Sequence, residues 1–332
     1  MMPDETVKGR VKPWRHPAVR LAGSAIVLAL LFTVLPAGEL IAAIRRLPIA
    51  VWVLAIAAYL MLHLIGVAKW RLLVNGAGAG LSFADGVRAY YSGLFGNTFL
   101  PSIVGGDVVR AGVALGVVRS KSGLILGSLV DRVQDIVGLG LVAGFGALVS
   151  PRALEPESRF VFLALGAILT AGGLGALLAS RLFPSRHLPF RLRRKLVAVR
   201  RAVRATAARP SRLVAALVLG MLLQSLLIVL NWVLGLAIGI DIPLYVWFFV
   251  WPLAKISGLL PVTQGGIGVR EAAQAALFAP FGVSAVMAVA AGLVFEVVII
   301  AGGLVGGGIA WWLGRRTGDG QGRAPQLRPE KA

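Results

Sequence analysis

One motif is written twice in this chain, and each copy interrupts an otherwise apolar stretch. Leu100-Pro101-Ser102-Ile103-Val104-Gly105-Gly106-Asp107-Val108-Val109-Arg110 returns as Leu260-Pro261-Val262-Thr263-Gln264-Gly265-Gly266-Ile267-Gly268-Val269-Arg270, with six identities at fixed spacing across a gap of 160 residues. Proline withdraws a backbone donor and glycine accepts dihedrals that other residues avoid, so each copy predicts a break in a helix. A matched pair of Gly/Pro-interrupted apolar segments, one in each half of a chain, is the pattern that marks the substrate site in transporters built from repeats.

The stretches around the motifs are apolar enough to cross a bilayer. Of 332 residues, 58% are hydrophobic and 14% are charged, with a mean hydropathy of +0.84. A soluble domain carries roughly 25% charged residues. The expected fold class is an all-α polytopic membrane protein, with about six full spans plus two broken, re-entrant helical hairpins related as an inverted repeat. Full spans are expected near 18–36, 48–68, 122–149, 160–182, 213–238 and 283–313, and the two motif segments near 85–118 and 243–280. Leu21 to Leu35 is embedded in the first span and is expected to remain as a helix rather than be cleaved as a leader.

The expected organisation has three parts. Residues 1–17 form a basic, disordered N-terminus, 18–315 a single transmembrane domain, and 316–332 a disordered tail. Within the domain, repeat-like halves at about 48–182 and 213–313 are joined by the basic linker 183–212.

Charge decides the orientation. The net charge is +20, from 34 Lys+Arg against 14 Asp+Glu. The basic residues cluster between the apolar spans, which points to anionic lipid and the positive-inside rule, and not to nucleic acid. The strongest cluster, 181–212, holds eleven Lys or Arg and no acid. Leu192, Leu196, Val199 and Val203 form one helical stripe in it, so it reads either as an amphipathic helix on anionic lipid or as a plain cytoplasmic loop. With both termini inside, the first motif segment has both ends cytoplasmic and the second has both ends outside. The two copies then enter the membrane from opposite faces. The pair Arg45 and Arg46 works slightly against this orientation.

Each ionisable group at membrane depth requires a reason, because it costs roughly 2.5–3.5 kcal/mol on insertion scales. In the first motif Asp107 and Arg110 share a face if a helix starts after Gly106. Free N–H groups at that helix start, with Gly105 and Gly106 allowing close approach, would hold a lipid phosphate or carboxylate. Gly265, Gly266 and Gly268 offer the same geometry in the second copy, followed by Arg270 and Glu271. The alternative is that these charges simply pair with one another. Asp131 and Asp135 lie on one helical face with Arg132 beside them, and are expected to neutralise Arg110 or Arg270 or to relay protons. Glu296 is a candidate for coupling, or for a structural pair with an Arg or Lys255. Gln224 and Asn231 read as interhelical hydrogen-bond partners, and Trp247, Trp251, Trp311 and Trp312 as an interfacial aromatic belt. The expected substrate-binding set is thus Pro101, Gly105, Gly106, Asp107, Arg110, Asp131, Arg132, Pro261, Gly265, Gly266, Gly268, Arg270 and Glu271, with Asp135 and Glu296 as coupling candidates.

Several chemistries are excluded. There is no cysteine, so there are no disulfides, thiolate sites or Cys nucleophiles. His16, His63 and His187 are too far apart for ligand spacing, and no metal, cofactor or catalytic residue is expected. Gly105-Gly106-Asp107 lacks the Lys-Ser/Thr of a nucleotide-binding loop.

In order, Asn97-Thr98-Phe99-Leu100-Pro101-Ser102, Gly105-Gly106-Asp107, Arg110, Asp131-Arg132, Leu260-Pro261-Val262 and Gly265-Gly266-Ile267-Gly268-Val269-Arg270-Glu271 resemble the lysylphosphatidylglycerol synthase transmembrane region. This is the flippase-like domain on the N-terminal side of multiple peptide resistance factors. The resemblance runs from about residue 18 to 315. It implies a bacterial membrane protein whose fuller relatives move aminoacylated phosphatidylglycerol between leaflets, while a separate soluble domain performs the aminoacyl transfer. Only a short basic tail follows the last span here, so the expectation is lipid translocation without synthase activity, on a phospholipid or lipid-linked substrate. An intramembrane enzyme, or an accessory protein of lipid or glycolipid envelope assembly, is the alternative. Oligomeric state is left open, and a homo-oligomer is compatible with the sequence.

Overall fold

The computed structural model describes residues 38, 41–42, 45–99, 105–150, 210–258 and 268–321. Among these the secondary structure is helical, in two sets of four. The first set is α1 (Ile49–Gly76), α2 (Phe83–Phe99), α3 (Gly105–Leu115) and α4 (Lys121–Val149). The second is α5 (Pro210–Ile238), α6 (Leu244–Ser257), α7 (Val269–Phe278) and α8 (Ala285–Gln321), with a short 3-10 turn at Ala279–Phe281. Each set runs long, short, short, long, and each motif lies around the junction between its two short helices.

Local chemistry sets the helix ends. The α1 C-terminus turns off at Gly78 (φ 90°), where the Ala79 N–H reaches back to the Val74 carbonyl at 2.9 Å. The α5 C-terminus turns off at Gly239 (φ 105°), and the Ile240 N–H reaches the Gly235 carbonyl at 2.9 Å. Both are glycine-terminated six-to-one caps, which satisfy carbonyls that the helix leaves orphaned. Ser120 caps α4 by accepting the Gly123 N–H at 3.1 Å.

Side-chain neighbours give the helix directions. Gly66 faces Leu223 while Lys69 faces Gly220, so α1 and α5 run antiparallel. Gly123 meets Ala77 and Gly127 meets Val74, so α1 and α4 also run antiparallel. One end of the bundle gathers the α1–α2 and α3–α4 turns and the start of α5. There Arg71 Nε donates to the Leu81 carbonyl at 2.9 Å, Arg119 packs on Gly80, and Arg212 lies against Gly76. The other end brings Arg46 to the Ile238 carbonyl (3.4 Å) and Met287 of α8 to Gly239 (3.8 Å). The α2–α3 pair therefore has both outer ends at the first end, and the α6–α7 pair has both at the second.

The short helices pack across the sets: α2 lies on α8, and α6 lies on α4. Glycines permit this. A Cβ at Gly303 or Gly307 would run into Thr98 or Phe95, and one at Gly146 into the Phe248–Phe249 backbone. Small residues that let helix backbones approach are the usual means of association in lipid, where burial of apolar surface supplies little drive.

Among the described residues, four helices are long and apolar enough to cross a membrane, namely Ile49–Gly76, Lys121–Val149, Pro210–Ile238 and Ala285–Arg316. Many of their exposed side chains are large and apolar. On α4, Ile125, Leu129, Val133, Val137, Leu141 and Phe145 form an exposed stripe of four-residue spacing, while Asp131 of the same helix is buried. These four match the spans expected near 48–68, 122–149, 213–238 and 283–313.

Three details differ from the sequence reading. Helix α1 does not end near residue 68, the expected bound of its span, but continues to Gly76, and Lys69 is buried in the bundle. Trp247 and Trp251 are core residues instead of interfacial ones. Trp311 and Trp312 are exposed as expected, under the guanidinium groups of Arg315 (3.9 Å) and Arg316 (3.8 Å). Helix α8 runs on to Gln321, past the expected start of the tail at 316. The first span (18–36), the fifth segment of apolar residues (160–182), the terminus 1–17 and the basic stripe within 183–209 lie outside the described residues.

Candidate functional site

Helix α3 opens on the two motif glycines. A Cβ at Gly106 would collide with the Asn97 carboxamide and the Gly93 carbonyl, and the Gly106 N–H donates to Asn97 Oδ1 at 2.9 Å. This seats the start of α3 on the end of α2. Asp107 falls in the first turn, where the helix dipole favours an anion, and Arg110 falls one turn later on the same face.

From there an ion-paired network spreads over three helices. Arg110 contacts Asp131 Oδ2 at 3.0 Å and Asp107 Oδ1 at 3.2 Å. Its guanidinium also lies over the rings of Trp70 (4.6 Å) and Tyr90 (5.2 Å). Lys69 of α1 sits 3.0 Å from Asp131 Oδ1 and also holds Asp135. Arg132 pairs with Asp107, and with Asp135 at 3.5 Å. Three cations meet three carboxylates, so the network is neutral. Lys69, Arg110 and Asp131 form its buried centre, and Arg132, with 48% of its side chain exposed, its open edge.

The second motif builds a smaller cluster. Gly268 precedes α7 at φ 87°, ψ −48°, a region closed to residues with a Cβ. Its N–H donates to Glu271 Oε2 at 2.6 Å, so the fully buried Glu271 closes the helix start. Arg270 reaches Glu271 Oε1 at 3.0 Å and also pairs with Glu296 of α8. Gln274 Nε2 donates to the Ala288 carbonyl at 3.2 Å and ties α7 to α8. One cation here serves two carboxylates. Gly268→Ala is expected to destabilise the protein by about 1–3 kcal/mol through backbone strain at this turn. Thermal unfolding in detergent checks this, and an unshifted midpoint would mean the turn relaxes freely.

Lys255, at the inner end of α6, lies between the clusters. It donates to Gln224 Oε1 at 3.0 Å and packs over Trp251 at 4.8 Å. It is in electrostatic range of Asp135, Arg132 and Lys69 on one side and of Arg270 on the other. Counting Lys255, the site holds Lys69, Arg110, Arg132, Lys255 and Arg270 against Asp107, Asp131, Asp135, Glu271 and Glu296, which balances.

The structure thus joins Gly105, Gly106, Asp107, Arg110, Asp131, Arg132 and Asp135 in one cluster, and Gly268, Arg270, Glu271 and Glu296 in the other. Pro101, Pro261, Gly265 and Gly266 lie outside the described residues. The proposed partners of Asp131 resolve to Arg110, and that of Glu296 to Arg270. Gln224 does bridge two helices, whereas the buried Asn231 amide finds no hydrogen-bond partner. Two of the donors and both motif arginines named for an anion are paired with protein groups: the Gly106 N–H with Asn97, the Gly268 N–H with Glu271, and the arginines with carboxylates. Lys69 was not foreseen. The signal for it was available, because Asp131 and Asp135 on one face of an apolar helix demand a cation at their depth.

No group of three or more His, Cys, Asp or Glu side chains suited to a metal is present among the described residues. The carboxylates of the two clusters are engaged as counter-ions, an arrangement that positions charge and helices more readily than it supplies a free acid or base.

The chain belongs to the family described as lysylphosphatidylglycerol synthase TM region, whose profile matches residues 18–307. This agrees with the resemblance carried by the motifs, and it identifies a multi-pass membrane domain associated with lipid modification or transport. No curated protein and no solved structure matches the chain.

Proposed function

We propose that the protein is a flippase-like transporter that moves a phospholipid or related lipid head group between leaflets, with no catalytic step of its own and no cofactor. One observation carries this reading: two helix pairs enter the bundle from opposite ends, and the motif residues Asp107, Arg110, Arg270 and Glu271 belong to a charge-balanced set among otherwise apolar helices. Broken helices meeting at mid-depth belong to inverted-repeat transporters, where irregular backbone survives because it lines a protected route. The antiparallel α1 and α5, their matching glycine caps, and the reciprocal packing of α2 on α8 and α6 on α4 support a two-fold relation between the sets.

Arg71, Arg88, Arg119, Lys121, Arg212, Arg315 and Arg316 belong to the end where α1 finishes and α2, α4 and α5 begin. The other end carries Arg45, Arg46 and Asp241. The positive-inside rule favours the first end as cytoplasmic, in a bacterial cytoplasmic membrane. The basic stretch 181–212 would then meet anionic lipid on that side.

Reconstitution tests the reading. In unilamellar proteoliposomes holding acyl-chain-labelled phosphatidylglycerol, dithionite should bleach lipid of both leaflets, beyond the outer-leaflet half lost in protein-free vesicles. A plateau equal to that of protein-free vesicles would count against translocation.

A further inference from the structure

We propose that Lys255 receives the phosphate of the head group; this rests on the lipid-translocation reading above and assigns the anion-binding residue within it. Four of the five cations at this depth have a carboxylate close by: Lys69 and Arg110 at 3.0 Å, and Arg132 and Arg270 in direct pairs. Lys255 has none within 4.0 Å among the described residues. Its hydrogen-bond partner there is the neutral Gln224 amide. Asp135, an acid in its field, is held by Lys69 and Arg132.

An ammonium has three N–H donors. Gln224 takes one, and the Trp251 ring flanks the group without accepting a conventional hydrogen bond. Lys255 is partly exposed, although Gln224 and Trp251, which hold it, are buried. The accessible sides of Asp135, Arg132, Arg270 and Glu296 belong to the two clusters that flank it. A cation kept at mid-depth, fixed by a neutral amide and an aromatic ring, with donors left over, is arranged to take a visiting anion. At the two helix starts the Gly106 and Gly268 N–H groups are already committed to Asn97 and Glu271. A phosphate ester suits a compact ammonium, which binds it as a point charge. In a bilayer, lipid phosphate is the abundant anion.

The test begins with the unaltered protein, purified whole in non-ionic detergent. Amine-reactive acetylation at Lys255 is followed by mass spectrometry with added phosphatidylglycerol, diacylglycerol or inorganic phosphate. Protection by phosphatidylglycerol, and none by diacylglycerol, is expected. Protection by inorganic phosphate as well would identify phosphate as the recognised element, and its absence would show that the site needs the lipid. Equal labelling under all conditions would overturn the assignment.

Variants supply the second arm. Lys255→Gln should weaken phosphatidylglycerol binding about tenfold or more, the scale of a hydrogen bond to a charged group, while Lys255→Arg should stay near the parent. Gln binding as tightly as the parent would also overturn it. The two proposals fail separately. Protected Lys255 without lipid flipping refutes translocation alone, whereas flipping unaffected by Lys255→Gln, with no protection, refutes only the Lys255 role.

Discussion

Replacing Asp131 with asparagine is expected to cost more stability than any other single exchange in the first cluster, about 3–5 kcal/mol. Its two oxygens are divided between Lys69 and Arg110, each at 3.0 Å. Asparagine fills the same volume but leaves two cations facing each other in a buried site, with Asp107 and Asp135 already shared with Arg132. The Arg110 guanidinium would keep its aromatic neighbours Trp70 and Tyr90, which cannot replace a carboxylate. The expected observation is a strongly lowered thermal midpoint in detergent, or loss of the monodisperse species altogether. A variant melting with the parent would show that the network does not hold α1, α3 and α4 together.

Arg270→Gln is expected to be of similar severity, for the opposite reason. It leaves Glu271 and Glu296 without their common cation, and Glu271 is fully buried. The loss should again be about 3–5 kcal/mol, with translocation abolished. Adding Glu296→Gln removes one of the two stranded charges, so the double variant should recover at least half of the lost stability. Thermal midpoints of the two single variants and the double variant give the coupling directly. Simple additivity would mean that Arg270 and Glu296 do not act as a pair, and that α7 is held to α8 by Gln274 and packing alone.

How far the sequence discloses this arrangement depends on the kind of signal. The helix breaks were legible because Pro and Gly act locally: α3 starts at the first glycine of its motif, and α7 follows Gly268. The pairing of Asp131 with Arg110 was legible in part, since buried charges must be balanced, but the sequence could not say which arginine served which acid. Lys69 was hidden by its position. It lies just after an apolar run and close to Arg71, where a basic residue ordinarily marks a membrane boundary, and only the tertiary placement of α4 shows that the helix continues. Trp247 and Trp251 misled for a related reason. Tryptophan near a span end suits an interface, but α6 is a short helix laid into the bundle, so its aromatic residues fill the core, and Trp247 packs edge-on to Phe278 at 4.8 Å.

The absence of native cysteine makes the topology directly measurable. Single cysteines at the exposed positions Ala84 and Ser122, at the outer ends of the α2–α3 pair, and at Asp241 and Ala285, flanking the α6–α7 pair, would be probed with an impermeant thiol reagent on intact cells. Labelling of 241 and 285 alone, with 84 and 122 reacting only after permeabilisation, is the result predicted for two hairpins that enter from opposite faces. Labelling of one partner of either pair without the other would mean that the pair crosses the membrane outright, and the two-fold transporter architecture would be wrong.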